Sequence, residues 1–132
     1  MAVDVARLGA FPLFAKLNDE QRALVAAALG ERSAEPGQHL TSEGGGGYFF
    51  FVIEDGTAEV SRGSDVVAEL GPGDFFGEAS ILENQRRNAS VTATSHMRLL
   101  DMFGADFANL TKQIPELGAT IRAALEEHHP PE

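Results

Sequence analysis

Two periods alternate along the chain. Up to residue 33, apolar positions recur at intervals of about three and four: Val3, Val5, Leu8 and Phe11, then, beyond Pro12, Leu24, Val25, Ala28 and Leu29. Such spacing gathers one apolar stripe on a helix. Residues 1–33 are therefore expected to be helical, in two pieces, because proline lacks the amide proton that a continuing helix uses. Asn18 or Asp19 is the expected N-cap of the second piece, and Gly30 ends or weakens it. After Glu35-Pro36-Gly37 the period falls to two. Strands are expected over 38–42, 48–53, 57–62, 66–70, up to Phe75-Phe76, over 89–94 and over 96–102. The 48–53 run is apolar on both faces, which places it in the middle of the fold. In 57–62, Ala58 and Val60 point inward; in 89–94, Ala89, Val91 and Ala93 share a face. Turns fall at Asp55-Gly56, the strongest hairpin signal in the chain, at Gly63-Ser64, at Pro72-Gly73-Asp74 and at Ser95-His96. Beyond Gly104 the helical period returns with Phe107, Leu110 and Ile114. Pro115 breaks or restarts it, and Leu117, Ile121 and Leu125 follow at spacing four.

About seven short strands with close-set turns, preceded and followed by helices, predict a mainly β fold: a β-roll, a jelly-roll-like double-stranded helix, with N-terminal and C-terminal α-helices. The 132 residues make one domain around one core. Residues 1–33 form a helical lead-in, 34–103 the roll, and 104–132 a hinge with closing helices.

Composition narrows the function. Without cysteine there is no disulfide framework and no thiolate metal site, which fits a cytoplasmic location. No apolar run reaches the ~20 residues of a membrane span, and no signal peptide pattern opens the chain. A net charge of −10 disfavours direct contact with nucleic acid or anionic membranes. It also makes a local pair of cations, Arg86-Arg87, stand out. Four histidines, His39, His96, His128 and His129, raise a metal reading, but no His-x-His pair exists and no metal or other cofactor is expected. No nucleophile turn with a Ser–His–Asp set is present, so no catalytic residue is assigned and the chain is expected not to be an enzyme. The run Gly44–Gly47 lacks the Lys-Ser/Thr of a triphosphate loop and reads as a hairpin tip.

The informative stretch runs from Gly73 to Val91. Gly77 permits a backbone conformation closed to other residues and lets a ligand approach the main chain. Residues 78–83 suit about one and a half turns of helix, whose free N–H groups suit an anion. Arg87 can grip the same anion with a two-pronged hydrogen bond. A carboxylate, Glu78, beside that anion is tolerated when a hydroxyl stands between them, which is the chemistry of a ribose phosphate. Taken singly, Glu78 also suits a helix start and Arg86-Arg87 a solvated loop; it is the spacing that favours the ligand.

Phe76-Gly77-Glu78, then Arg87 nine residues after the glutamate, then Asn88-Ala89-Ser90-Val91, resembles the phosphate-binding cassette (residues 76–91) of the cyclic nucleotide-binding domain family. That family includes catabolite-activator-type regulators, regulatory subunits of cAMP-dependent kinase and cyclic nucleotide-gated channels. Phe11-Pro12-Leu13-Phe14-Ala15-Lys16-Leu17 resembles its helical lead-in. The resemblance implies a non-enzymatic sensor whose ligand is cAMP or cGMP. Glu78 would accept the ribose 2′-hydroxyl, Gly77 would offer its N–H, and the backbone of Ala79, Ser80, Asn88 and Ala89 would line the phosphate paired with Arg87. Phe76 and Ser90 bound this set, and Ile121, Arg122 and Leu125 are the candidates for a lid over the base, or for plain helix packing. Three positions depart from the family pattern: Arg86 stands for a frequent proline, Ala79 for a leucine that packs on the hinge, and Asn88 where a hydroxyl favours cGMP and alanine favours cAMP. Phe107 or Leu110 is expected to fill the space that Ala79 leaves. The absent threonine favours cAMP. A domain that has lost nucleotide and serves as a partner-binding module is the alternative. Partners beyond the nucleotide are a homodimer through the final helix, or an effector domain elsewhere in a longer chain.

Overall fold

A computed structural model of the chain describes residues 5–41, 49–77 and 90–128. The fold is mainly antiparallel β with flanking helices, as the pattern predicts. Two short helical segments open it, α1 (Val5–Leu8) and α2 (Asp19–Ala28). Asn18 caps α2 through a reciprocal box: its side chain accepts from the Gln21 N–H at 2.8 Å, and the Gln21 side chain accepts from the Asn18 N–H at 3.0 Å. Between the helices, Phe11, Leu13, Phe14 and Leu17 are all buried. Their turns are pinned by Arg22, which donates to the carbonyls of Phe14 and Ala15.

Among the described residues, eight strands follow: β1 (Gly30–Ala34), β2 (His39–Thr41), β3 (Phe49–Asp55), β4 (Ala58–Arg62), β5 (Asp65–Leu70), β6 (Phe75–Phe76), β7 (Ser90–Ala93) and β8 (Met97–Phe103). They form two four-stranded sheets. Sheet 1 has the order β1-β8-β3-β6 and sheet 2 the order β2-β7-β4-β5. Two helices close the chain, α3 (Gly104–Gln113) and α4 (Pro115–His128), with Pro115 at the first position of α4, where its missing N–H costs nothing.

Several expectations change. Residues 30–33 are strand, not helix; α2 ends at Ala28, and Leu29 already has extended geometry (φ −89°, ψ 140°). Glu31 and Ser33 are exposed while Ala34 is buried, so the segment alternates as a strand does. Leu24 is 47% exposed, and the buried face of α2 is Val25 and Ala26, followed by Leu29. Asp55-Gly56 is not a hairpin: β3 pairs with β8 and β6, whereas β4 pairs with β5 and β7. That turn carries the chain from one sheet to the other. Gly56 has φ +92°, and a Cβ there would strike the His96 carbonyl and lie 2.9 Å from Met97 Cα, so glycine is required. The true two-residue hairpin is Gly63-Ser64, closed by the Arg62–Asp65 pair.

The single expected core is two clusters on opposite faces of sheet 1. One joins Phe50, Val52, Leu100 and Met102 to the helices through Leu8, Phe14, Val25, Phe107, Leu110, Ile114, Leu117 and Ile121. The other lies between the sheets and holds Phe51, Ile53, Phe76, Met97 and Leu99 with Ala58, Val91 and Ala93. Alternate residues of β3 and β8 feed the two clusters, which is why 48–53 read as apolar throughout. Phe107 stacks on Phe50 at 4.2 Å between ring centroids and is buried. Phe107→Ala should lower unfolding free energy by about 3–5 kcal/mol. Urea denaturation checks this, and a loss below about 1 kcal/mol would mean that the ring is not packed as described.

Candidate functional site

The stretch from Gly71 to Gly77 is fixed from both sides. Asp74 accepts from the Gly71 N–H through Oδ2 at 2.8 Å, and the Gly71 carbonyl accepts from the Asp74 N–H at 3.0 Å. The turn is tied to the centre of sheet 1 by Ile53: its N–H donates to the Asp74 carbonyl and its carbonyl accepts from Gly73. Phe75 and Phe76 then pair with Val52 and Phe51. Phe76 stacks on Phe51 at 4.9 Å and Phe75 lies 5.8 Å from Phe50, so the two rings serve the two core clusters. Gly77 follows with φ +97°, the left-handed backbone that its place in the motif predicts.

On the far side, Ser90 pairs with Ser61 and Val91 with Val60. The chain thus leaves sheet 1 at Gly77 and enters sheet 2 at Ser90, and both points lie at the same end of the roll. At this end β3 begins with Phe49 and β4 finishes with Arg62. Glu78, Ala79, Ser80, Arg87, Asn88 and Ala89 lie outside the described residues, as do the expected helix over 78–83 and the run Gly44–Gly47. Of the nucleotide-site candidates, Phe76, Gly77 and Ser90 are placed. Phe76 is buried under the segment's start, and Ser90 alternates with the buried Val91 and Ala93.

Sheet 1 carries a polar group at this end that the sequence pattern did not disclose. Arg32 donates to Asp101 (Nη2 to Oδ2, 2.9 Å). Its guanidinium lies 4.6 Å from the centroid of Phe49 and 5.1 Å from that of Phe51. Phe49 stacks in turn on Phe103 at 5.0 Å. Gly30 makes room for the pair, since a Cβ there would stand 2.7 Å from Asp101 Oδ1. Reading 30–33 as helix hid the face that Arg32 shares with Ala34; Gly30–Ala34 carries no apolar alternation that would have shown it, and its strand character comes from pairing with β8.

Among the lid candidates, Ile121 is fully buried in the helix-facing cluster, and the side chains of Arg122 and Leu125 lie outside the described residues. Phe107 and Leu110 are core residues of the same cluster. Two surface cavities lie elsewhere. One of about 330 Å³ is lined by Thr57, Ala58, Glu69, Leu70, Gly71 and Thr94 at the opposite end of β4. The other, of about 490 Å³, is lined by Arg7, Glu54, Asp55 and Arg98. His39 bonds Thr92 (2.9 Å) and His96 stands 3.4 Å from Glu35; among the described residues no group of three metal-ligating side chains gathers.

Profile comparison decides the family: the cyclic nucleotide-binding domain matches residues 31–114. The chain belongs to the cyclic nucleotide-binding domain family. It is 39% identical over 111 residues to a cAMP-dependent protein kinase regulatory subunit of Eremothecium gossypii, covering 83% of this chain and 24% of that protein. It is 34% identical over 125 residues to a cyclic nucleotide-gated potassium channel of Rhizobium etli, covering 94% of this chain and 35% of the channel. The chain therefore spans a quarter to a third of the length of these relatives. Among solved structures it is similar to the catabolite activator protein of Thermus thermophilus, with a TM-score of 0.79 and 28% identity, covering 88% of this chain and 57% of that one. No described helix is long and apolar enough to cross a membrane.

One electrostatic anchor joins the lead-in to the roll. Arg7 donates to Glu54 through Nε and Nη2, at 3.1 and 2.7 Å, and to Glu31 through Nη1 at 2.6 Å. Hydrogen bonds to Glu54 and then to Glu31 push the guanidinium above its ordinary value. The bond from Arg7 holds the Glu31 carboxyl below its own. A carboxyl so lowered stabilises the fold above its ordinary range and loses that contribution as pH falls through the lowered value. Wild-type and Glu31→Gln chains should accordingly differ in urea midpoint at neutral pH and converge under acid. A difference that persists unchanged below the carboxylate range would contradict this pairing. Separately, Gly77→Ala forces a side chain into the left-handed region at about 1 kcal/mol or more, and a melting temperature equal to wild type would exclude that strain.

Proposed function

We propose that this domain is a sensor that binds a 3′,5′-cyclic purine nucleotide, cAMP in preference to cGMP, without catalysing a reaction on it. The observation that carries the reading is the family's Gly-Glu and Arg pattern, set in a segment whose two ends are anchored on different sheets at one end of the roll. Gly77 supplies the left-handed turn, and Glu78 and Arg87 supply opposite charges nine residues apart. A sugar hydroxyl donates to the carboxylate while the guanidinium takes the phosphate, so a cyclised ribose ester satisfies both. Asn88 lacks the hydroxyl that favours guanine in relatives, which supports cAMP. The kinase regulatory subunits and channels among its relatives are named for the same ligand class.

Occupancy acts by population shift: the bound segment favours one packing of α3 and α4 over another. Ile121, buried in the helix-facing cluster, reaches a base only if α4 moves, so its lid role and its packing role belong to two different states. The effector lies in another domain or partner. Ala79, Arg86 and Asn88, the three departures from the family pattern, favour a second reading in which nucleotide binding is lost and the domain serves as an interaction module.

Titration calorimetry with cAMP and cGMP separates the two. The first reading predicts saturable heat, stronger for cAMP, with affinity reduced about ten- to a hundredfold in Arg87→Ala, the roughly 1.5–3 kcal/mol of a charge-assisted bond. Hydrogen exchange should also change along α4 on saturation. Absence of heat at high micromolar nucleotide favours the second.

A further inference from the structure

We propose that β5, at the edge of sheet 2, is a docking strand for an extended, basic segment of a partner protein. The proposal is independent of nucleotide binding. Strand β5 ends the order β2-β7-β4-β5, so among the described residues nothing pairs with its outer edge. Every residue from Asp65 to Glu69 is exposed, and Val66 and Val67, at 54% and 50%, are two of the four large apolar residues that stand out in solvent among the described residues. Neighbouring strand residues normally point to opposite faces, one of them covered. Here a bulge skips Val67, since Val60 pairs with Ala68 and Ser61 with Val66. Both valines consequently stand beside a backbone edge that no described strand pairs, the feature that recruits a further strand. The described helices gather their buried side chains on the other face of sheet 1, away from this edge.

Charge selects the occupant. Asp65 and Glu69 flank the valines, and Glu69 lies directly opposite Glu59 on β4. Opposed like charges on neighbouring strands are unfavourable, and neither Glu59 nor Glu69 has a cation partner among the described residues. A second copy of this chain, itself at −10, would add carboxylates to the same place in an antiparallel pair. Nucleic acid and anionic membrane are repelled for the same reason. A strand whose apolar middle is flanked by Lys or Arg covers the valines, completes the backbone hydrogen bonds and neutralises the Glu59–Glu69 contact. The bulge and the acidic flanks then act as a filter against other strands.

The test is fluorescence anisotropy of a labelled short peptide of alternating Val and Thr with a Lys pair at each end, added to the full chain. Saturable binding is expected below about 1 mM at low salt, weakening with ionic strength. Glu69→Lys and Val66→Lys, both at exposed positions, should each weaken it at least about tenfold with unchanged circular dichroism. Exchange protection should fall on the β5 amides. The proposal is overturned if no binding is seen, if a peptide with Glu in place of Lys binds equally well, or if both variants bind like wild type. It is also overturned if sedimentation shows a dimer of the wild-type chain that Val67→Lys abolishes, since the edge then belongs to a second copy.

Discussion

Sheet 1 is covered on both sides, and the remainder of the molecule follows from that constraint. A strand that is polar on one face can rest on a single core. Strands β3 and β8 instead present Phe50, Val52, Leu100 and Met102 to the helices, and Phe51, Ile53, Leu99 and Met97 to sheet 2. Neither face can be left in water without exposing several large side chains at once, each worth about 1.5–3 kcal/mol when buried. The helices and sheet 2 are therefore both obligatory partners of one central layer.

The same layer fixes where the chain leaves sheet 1 for sheet 2. Strand β6 is only Phe75-Phe76, too short to hold itself by backbone bonds. It is held by the two rings, one toward each core, and by the Ile53 clasp on the preceding turn. Beyond it the chain must cross from sheet 1 to sheet 2, and the left-handed Gly77 turns it out of the ladder. In sheet 2 the chain resumes pairing at Ser90, opposite Ser61.

Much of this was legible in the residues. The β-roll with helices at both ends, the Asn18 cap, the turn at Pro72-Gly73-Asp74 and the alternation around Val91 all follow from period and turn chemistry. What escaped was non-local. Asp55-Gly56 and Gly63-Ser64 are both good turn sequences, and only the pairing partners of β3 and β4 decide which one closes a hairpin. The span from Gly30 to Ser33 lacks a large apolar residue, so its strand character came from pairing with β8 and not from propensity. Leu24 fitted a helical stripe by spacing, but α2 turns Val25 and Ala26 to the core. The Arg32–Asp101 pair beneath Phe49 was hidden because it depends on register across three strands.

Adjacent residues of β3 link the segment to the closing helices. Phe51 stacks on Phe76, one residue before Gly77, while Phe50 touches Phe75 and stacks on Phe107 of α3. A displacement of β6 driven by an occupied segment would reach Phe107 through two ring contacts in a close-packed core, which shifts between discrete arrangements and does not deform smoothly. Phe103, the hinge residue between β8 and α3, is 62% exposed and caps its helix with no side-chain bond. Phe103 stacks on Phe49, and Phe107 and Leu110 are where the core grips α3. A helix packed on a ring that also touches β6 is the link that the proposed movement of α3 and α4 would use.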